Sequence, residues 1–435
     1  MKMKKNFIII CKKFTALLFA LFLTWSCNQV DEIQELNLEE EKLENFDPST
    51  NSDLMRFLER NNFSYKKIEK IGDIYLIDDD IIVSHESIIE SSKSQMPKGV
   101  ISTENLHAYA SLVSGAPYNY RTITIGFDST IPTTNTYLNW RLATQEAIDE
   151  FNKIRNLRLK FQIINSGTPD ITITSNPHPS ASWSQIPNTI AAAHFPSAGN
   201  PGIKIHINPN YSFQSSVTES IKKYNMAHEI GHTIGFRHTN YINLQETTTN
   251  PTATNINGTG NSDPNSVMNG GTAGNSWIAF SYLDLLALRT IYPYDAGEVP
   301  LYTYIKPSTG GFNWTRNWST YQYGGSGYSY YGVNGYVFTY PLTGTVPLYK
   351  YKNNTTGVDY MSIDPNISNN FPSYSSEGII GHVFTSSASN RMPIYEWYHP
   401  NKGFHFTTLA NDGVTQSGGW TGGSIAFYTV TLEWN

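Results

Sequence analysis

The stretch "HEIGHTIGFRH", His228 to His238, constrains this chain more than any other. It places three of only 11 histidines, together with a glutamate, in one short segment. At this chain's own residue frequencies the spacing H-E-x-x-H-x-x-G-x-x-H is expected about 0.00002 times, so chance does not account for it. On a helix, His228 and His232 are four residues apart and project from one face, so both imidazoles can reach a single ion. Glu229 lies one position round, close enough to address a water on that ion without binding it. Gly235 lets the chain turn sharply out of the helix, and such a turn brings His238 back as a third nitrogen ligand. Three neutral imidazoles leave the fourth tetrahedral position open, which separates catalytic from structural zinc sites.

That set suits peptide hydrolysis. A bound metal lowers the pKa of a water towards about 7, and Glu229 can accept the proton and later pass it to the leaving amine. The competing chemistry is limited by the cysteine count. Cys11 and Cys27 are the only cysteines and both lie in the N-terminal leader, so a metal site in the folded part must use histidines and carboxylates.

The leader reads as an export signal. Lys2, Lys4, Lys5, Lys12 and Lys13 precede a short apolar run from Phe14 to Trp25. A helix of that length covers only about 18 Å, too short for a bilayer. The run ends "LTWSC", which resembles a bacterial lipoprotein box with Cys27 as the lipidated residue, although Trp25 departs from the small residues usual there. The expected location is the outer membrane or cell surface, or the medium if Cys27 is not lipidated. The lipid anchor is the only membrane contact expected. A net charge of -6 with no basic stripe beyond the leader argues against a nucleic-acid partner.

Five segments follow from the pattern along the 435 residues: a leader (1–27), an acidic tether (28–50), a pro-segment-like region (51–105), a mixed α and β region (106–295) and an all-β module (296–435). In the third, "SDLMRFLER" puts Leu54, Phe57 and Leu58 on one helical face, and "DIYLIDDDIIVSHESI" reads as two short strands around an acidic turn. A Ser/Lys-rich break, "SSKSQMPKG", then offers a cleavage point; a plain N-terminal subdomain is the alternative. The fourth segment alternates as strands in "YRTITIGFD", "LKFQIIN", "DITITSN" and "GIKIHIN". Helical stripes run through "YLNWRLATQEAIDEFNKI", the histidine motif and "FSYLDLLALRTIYP", the last stopped by Pro293.

Beyond Pro293 a repeat takes over. "VPLY" at 299, "VPLY" at 346 and "MPIY" at 392 start 47 and 46 residues apart. Each is followed by a Gly-x-x-aromatic, "GFNW", "GVDY" and "GFHF", and then by an apolar strand. Three such units make a three-fold all-β module, for which a β-trefoil is the suited form. Its aromatic and polar tips fit a glycan or cell-surface ligand as well as they fit a purely structural or docking role. The junction "YDAGEVP" reads as a boundary that few contacts need cross.

"MAHEIGHTIGFRHTNY", "DPNSVMNGG" and "FSYLDLLALRTIYP", in that order and spacing, resemble the bacterial dual-action HEIGH metallopeptidase family of metzincins. The resemblance covers roughly residues 70–295. It implies an α+β catalytic domain, a twisted mixed sheet with the active-site helix, and zinc held by His228, His232 and His238 with Glu229 as base. It also implies that Met268, in a tight Asn/Gly-rich turn thirty residues beyond His238, is the Met-turn beneath the metal. Asn240 stands where an acidic residue is frequent. With no cysteine for a switch, latency would need a carboxylate, one of Asp78–Asp80. The resemblance also points to "GIKIHIN" as the edge strand that pairs with an extended peptide, with His206 a wall residue. A zinc endopeptidase acting on proteins or peptides is thus the leading reading. A glycan-binding or adhesin lipoprotein with an inactive peptidase-like domain, and a hydrolase of a non-peptide bond, are the alternatives.

Overall fold

The structure, a computed structural model, describes residues 51–61, 68–89 except 79, 86, and 87, 107–108 and 112–430. From the last range 135, 178–181, 185–188, 213, 215, 241–253, 260–262, 319–326, 409, 411–414 and 416–417 are excepted. The leader, the tether and the Ser/Lys-rich break lie outside the described residues. No helix among the described residues is long and apolar enough to cross a membrane.

Helix α1 (Ser52–Asn61) buries Leu54, Phe57 and Leu58, the face its spacing marks out. Strands β1 (Ile68–Ile71), β2 (Ile74–Ile77) and β3 (Ile81–Ser84) then form an antiparallel meander. The sequence pattern marks β2 and β3 but not β1. The two-residue strand β4 (His107–Ala108) pairs with β10 (Thr254–Asn255).

The mixed region contributes β5 (Arg121–Phe127), α2 (Arg141–Lys153), β6 (Leu159–Ile163), β7 (Ile171–Thr174), β8 (Ala191–His194), β9 (Lys204–Ile207), α3 (Glu219–Thr233) and α4 (Tyr282–Ile291). One sheet of eight strands runs in the order β1-β2-β3-β8-β9-β7-β5-β6. Strands β5, β6, β7 and β9 are parallel, and β8 is antiparallel to β9. Alternation along β5 sends Ile123 and Ile125 into the core, and Ala143, Ala147, Ile148 and Phe151 make the matching stripe on α2. Each fully buried isoleucine or phenylalanine there contributes about 1.5–3 kcal/mol. Helix α3 packs against α2, β8 and β9 and is buried on almost every face.

Strand β9 corrects one expectation. "GIKIHIN" is not an edge: β7 lies on one side of it and β8 on the other. Alternation reports which face a side chain points to, not whether the backbone beside it is free. The outer strands of the mixed region are β6 and β8, and β3 covers β8 with parallel pairing, Ile81 opposite Ala193 and Ile82 opposite His194. The meander thus continues the sheet, and Ile71, Ile74, Leu76 and Ile82 share a small core with Trp183 and Ala192.

The repeats build a nine-stranded antiparallel sheet: β11 (Glu298–Lys306), β12 (Gly311–Thr315), β13 (Ser329–Phe338), β14 (Thr345–Asn353), β15 (Asp359–Ser362), β16 (Tyr374–Phe384), β17 (Arg391–His399), β18 (Gly403–Thr407) and β19 (Thr421–Val430). In each repeat the first strand pairs with a short second and a long third. The long strands close a ring through Phe338–His382, Phe384–Tyr428 and Tyr336–Val430. Among the described residues each repeat forms three strands, two of them 9 to 11 residues long, rather than the four of a β-trefoil repeat. The tips turn inward. Phe312, Trp314 and Phe406 are core residues, and the polar residue of each Gly-x-x-aromatic, Asn313, Asp359 or His405, is buried with them.

The junction is also unlike its sequence reading. Arg155 and Arg289 both pair with Glu298, and the Arg289 guanidinium lies 3.6 Å over the Tyr336 ring. Leu286 of α4 packs with Tyr302, Tyr304, Val333 and Tyr336. Tyr282 Oη donates to the Val333 carbonyl at 2.9 Å, and Tyr330 Oη to that of Gly258 at 2.7 Å. Many contacts cross "YDAGEVP" because α4 is apolar on two sides, one for each sheet.

Candidate metal centre

Helix α3 begins at Thr218, whose hydroxyl accepts from the Ile221 amide at 3.3 Å. It ends in a Schellman turn: Gly235 N–H donates to the His232 carbonyl and Phe236 N–H to that of Gly231, both at 2.9 Å. Gly235 sits at φ +101, a conformation side chains other than glycine avoid, so this residue is what lets the chain reverse here. The reversal puts the Phe236 carbonyl 2.8 Å from His232 Nδ1 and swings His238 back to His228, Nε2 to Nε2 3.2 Å.

The ring orientations follow from hydrogen bonds. His228 Nδ1 faces the Val267 carbonyl at 2.7 Å, and His232 Nδ1 faces Phe236. A carbonyl only accepts, so each Nδ1 carries the proton and each Nε2 of a neutral ring presents a lone pair. Burial and the neighbouring His228 hold the His232 imidazole well below its usual range, which keeps that ring neutral. The two Nε2 atoms lie 3.0 Å apart. Facing lone pairs at that distance repel unless a cation sits between them. A tetrahedral zinc with bonds of about 2.0–2.1 Å needs nitrogens about 3.3–3.4 Å apart, so the donor set fits such an ion.

A fourth group joins them. Asp80, in the turn between β2 and β3, brings Oδ2 to 3.0 Å from His238 Nε2 and 3.4 Å from His228 Nε2. Asp80, His228, His232 and His238 each offer an atom within 4.8 Å of the others, the one such group among the described residues. Burial raises the Asp80 carboxyl, but His238 and its companions outweigh that and hold it well below the carboxylate range. Of the other two acidic residues of the turn, Asp78 faces Arg237 at 3.7 Å and Asp79 lies outside the described residues. Glu229 is buried, and its Oε2 has no hydrogen-bond partner among the described residues. Burial, reinforced by the Asp80 charge, pushes its carboxyl well above the usual range.

Met268 lies under this group. An added Cβ on Gly231, between His228 and His232, would come within 2.4 Å of Met268 Sδ, so the glycine of "HEIGH" is what admits the methionine. Asn240, the departure in the motif, clamps the same turn: its amide donates to the Gly270 carbonyl at 3.0 Å and accepts from the Gly270 amide at 2.8 Å. The loop carrying His238 is therefore tied to the Met268 turn without an acidic residue. His206 is buried on the enclosed strand β9, bonded to His194 (Nε2 to Nε2 3.2 Å) and to the Asn176 carbonyl (2.8 Å).

One positioning residue is missed by the sequence reading. Asp284, in the capping box of α4, accepts from Ser266 Oγ at 2.6 Å and from the Val267 amide at 2.9 Å. Val267 in turn orients His228, so α4 holds the metal side through one buried carboxylate. The capping pattern "SYLD" marks Asp284 as a helix start, but its link to residue 267 exists only in three dimensions. Burial pushes its carboxyl up to about 6, against the lowering effect of those hydrogen bonds. A carboxyl raised above its unfolded value of about 3.9 binds more protons when folded, so its contribution is fullest below about pH 4 and is lost as pH rises through 6. The loss is on the order of 3 kcal/mol. Unfolding of the metal-free protein at about pH 4.5 and pH 7 should show this slope, and Asp284→Asn should flatten it. Equal slopes in the two proteins would refute the assignment.

The dual-action HEIGH metallo-peptidase family matches residues 76–292, and a domain of unknown function matches residues 322–430. No curated protein matches the chain. Similar solved structures include myroilysin, 17% identical over 42% of this chain and 83% of that one with a TM-score of 0.26. Another is high choriolytic enzyme 1, a hatching enzyme zinc-protease from Oryzias latipes (medaka fish), 14% identical over 42% of this chain and 94% of that one with a TM-score of 0.26.

Proposed function

Through residues 76–292 this zinc peptidase belongs to the dual-action HEIGH metallopeptidase family, and we propose that it is an endopeptidase in which His228, His232 and His238 hold the zinc and Glu229 is the general base. The observation that carries this is the convergence of three histidine Nε2 atoms, two of them with Nδ1 fixed on backbone carbonyls, next to a buried carboxylate whose Oε2 has no hydrogen-bond partner among the described residues. A zinc ion held there supplies Lewis acidity, acidifying a water and polarising the scissile carbonyl. Glu229 takes the water's proton at Oε2 and returns it to the departing amine; its raised affinity for protons suits both halves of that exchange. The Val267 and Phe236 carbonyls keep the imidazoles in their ligating tautomer, and Met268 and Asn240 keep the His238 loop against the helix.

The sequence of the leader supports an exported chain held by Cys27. For residues 296–435 the buried tips and the packed junction favour a buttress for α4 over a glycan surface. The peptidase reading is tested by zinc content and by cleavage of casein and of a quenched peptide. Both are measured before and after a brief trypsin treatment stopped with a serine-protease inhibitor. About one zinc per chain is expected, with cleavage abolished by chelation and restored by zinc. Zinc-loaded protein that cleaves neither substrate in either form, or cleavage indifferent to chelation, would sink the reading.

A further inference from the structure

The last turn of a helix leaves four backbone carbonyls that the helix itself cannot satisfy. In α3 these belong to residues 231–234, the stretch that carries the second histidine and leads to the third. The local turn takes two of them: Gly231 accepts from the Phe236 amide and His232 from that of Gly235. The other two are held from far along the chain. The Thr233 carbonyl accepts at 2.8 Å from the amide of Gly202, in the loop between β8 and β9, where an added Cβ would collide with the His194 carbonyl. The Ile234 carbonyl accepts from the hydroxyl of Tyr292, fully buried at the end of α4. Burial pushes the pKa of that hydroxyl up, so it stays a donor. The Tyr292 ring also meets the Phe236 ring edge-on, centroids 6.3 Å apart, and the Phe236 carbonyl is what orients His232.

One short segment ties these two holds together. The Val113 amide donates to Tyr292 Oη at 3.2 Å, and the next amide, Ser114, donates at 2.8 Å to the Gly199 carbonyl in the loop that carries Gly202. Arg158 closes the arrangement, with Nη2 on the Val113 carbonyl at 3.1 Å and its guanidinium 4.9 Å over the Tyr292 ring. The hydroxyl thus both donates and accepts, and a phenylalanine in its place leaves two buried backbone groups without that partner. We infer that Tyr292 is a positioning residue for the zinc site: anchored by Val113, its hydroxyl fixes the turn after His232 and thereby the place of His238. It acts on the metal only through residues 234–238. The inference rests on His238 being a zinc ligand, as proposed above.

Tyr292→Phe keeps the buried ring and removes only the hydroxyl. Tyr351→Phe is the control, since Tyr351 is equally buried and donates its hydroxyl to the Asp364 carbonyl at 2.8 Å, in the second repeat. Zinc affinity is measured on the full chain by competition with a chromophoric chelator. The visible spectrum of the cobalt-substituted protein and the melting of the metal-free protein are recorded beside it. Tyr292→Phe should bind zinc about tenfold or more weakly and alter the cobalt spectrum, the scale on which loss of an orienting partner commonly acts. Tyr351→Phe should melt below the parent yet keep its affinity and its spectrum. In a His238→Ala background, Tyr292→Phe should change zinc affinity by less than about twofold, because the residue it positions is gone. Unchanged affinity and spectrum in Tyr292→Phe would overturn the inference. So would an equal loss of affinity with His238 absent, or in Tyr351→Phe, since either outcome means a general loosening of the fold. If His238→Ala alone keeps the parent's zinc affinity, the ligand set proposed above fails and the inference falls with it.

Discussion

Substituting Glu229 with alanine should leave about one zinc per chain and lower peptide turnover by about 100- to 10,000-fold. The two halves of that result have separate causes. The atoms placed to bind the ion belong to His228, His232, His238 and Asp80, not to Glu229. The rings of His228 and His232 are oriented by the Val267 and Phe236 carbonyls, so their geometry survives the substitution. What disappears is the buried carboxyl whose raised proton affinity lets it act as base and then as acid. Removing a buried acidic group of this kind also relieves its desolvation, so thermal stability should hold or rise. The measurement is metal content by mass spectrometry beside steady-state kinetics of parent and variant. Turnover close to that of the parent would remove Glu229 from the mechanism, and loss of zinc would make it a ligand.

A chain ending at Tyr294 should lose most of its stability. Truncation there removes Glu298, the carboxylate shared by the buried Arg289 and the half-buried Arg155. Breaking a buried pair by removing one partner costs about 3–5 kcal/mol. It also exposes Leu286, which packs against Tyr302, Tyr304 and Tyr336. Together these approach the whole stability of an ordinary domain, about 5–15 kcal/mol. Because Asp284 on the same helix holds Val267, and Val267 holds His228, the damage should reach the metal. Circular dichroism melting and zinc affinity of 1–294 against the full chain would check this. A truncated chain that melts within a few degrees of the parent and keeps its zinc would show that the repeats are an independent module after all.

The histidine motif could be read from the chain because its chemistry is local. Two imidazoles four residues apart on one helix, a base beside the first and a glycine at the helix end are consequences of 3.6 residues per turn and of one positive φ. The structure places His228, His232 and His238 together as that arithmetic requires. The period of the repeats was legible for the same reason, since a unit that recurs every 46 or 47 residues displays itself without any knowledge of packing. Short-range patterns are silent about lateral neighbours. "GIKIHIN" alternates whether or not strands flank it, and only the sheet order shows β9 enclosed and β8 covered by β3. "VPLY" repeats do not reveal three strands rather than four, because strand length is set by how the ring closes. Three aspartates in a row marked a turn, and a missing cysteine made them candidates for latency. That Asp80 rather than Asp78 reaches the histidines was decided by β3 pairing with β8, which turns one carboxylate into the site and the other towards Arg237. Residue types and local spacing therefore determined the chemistry available to this protein. Tertiary structure alone decided which groups meet, because contacts between residues far apart in the chain depend on backbone pairing and shared cores that no local pattern encodes.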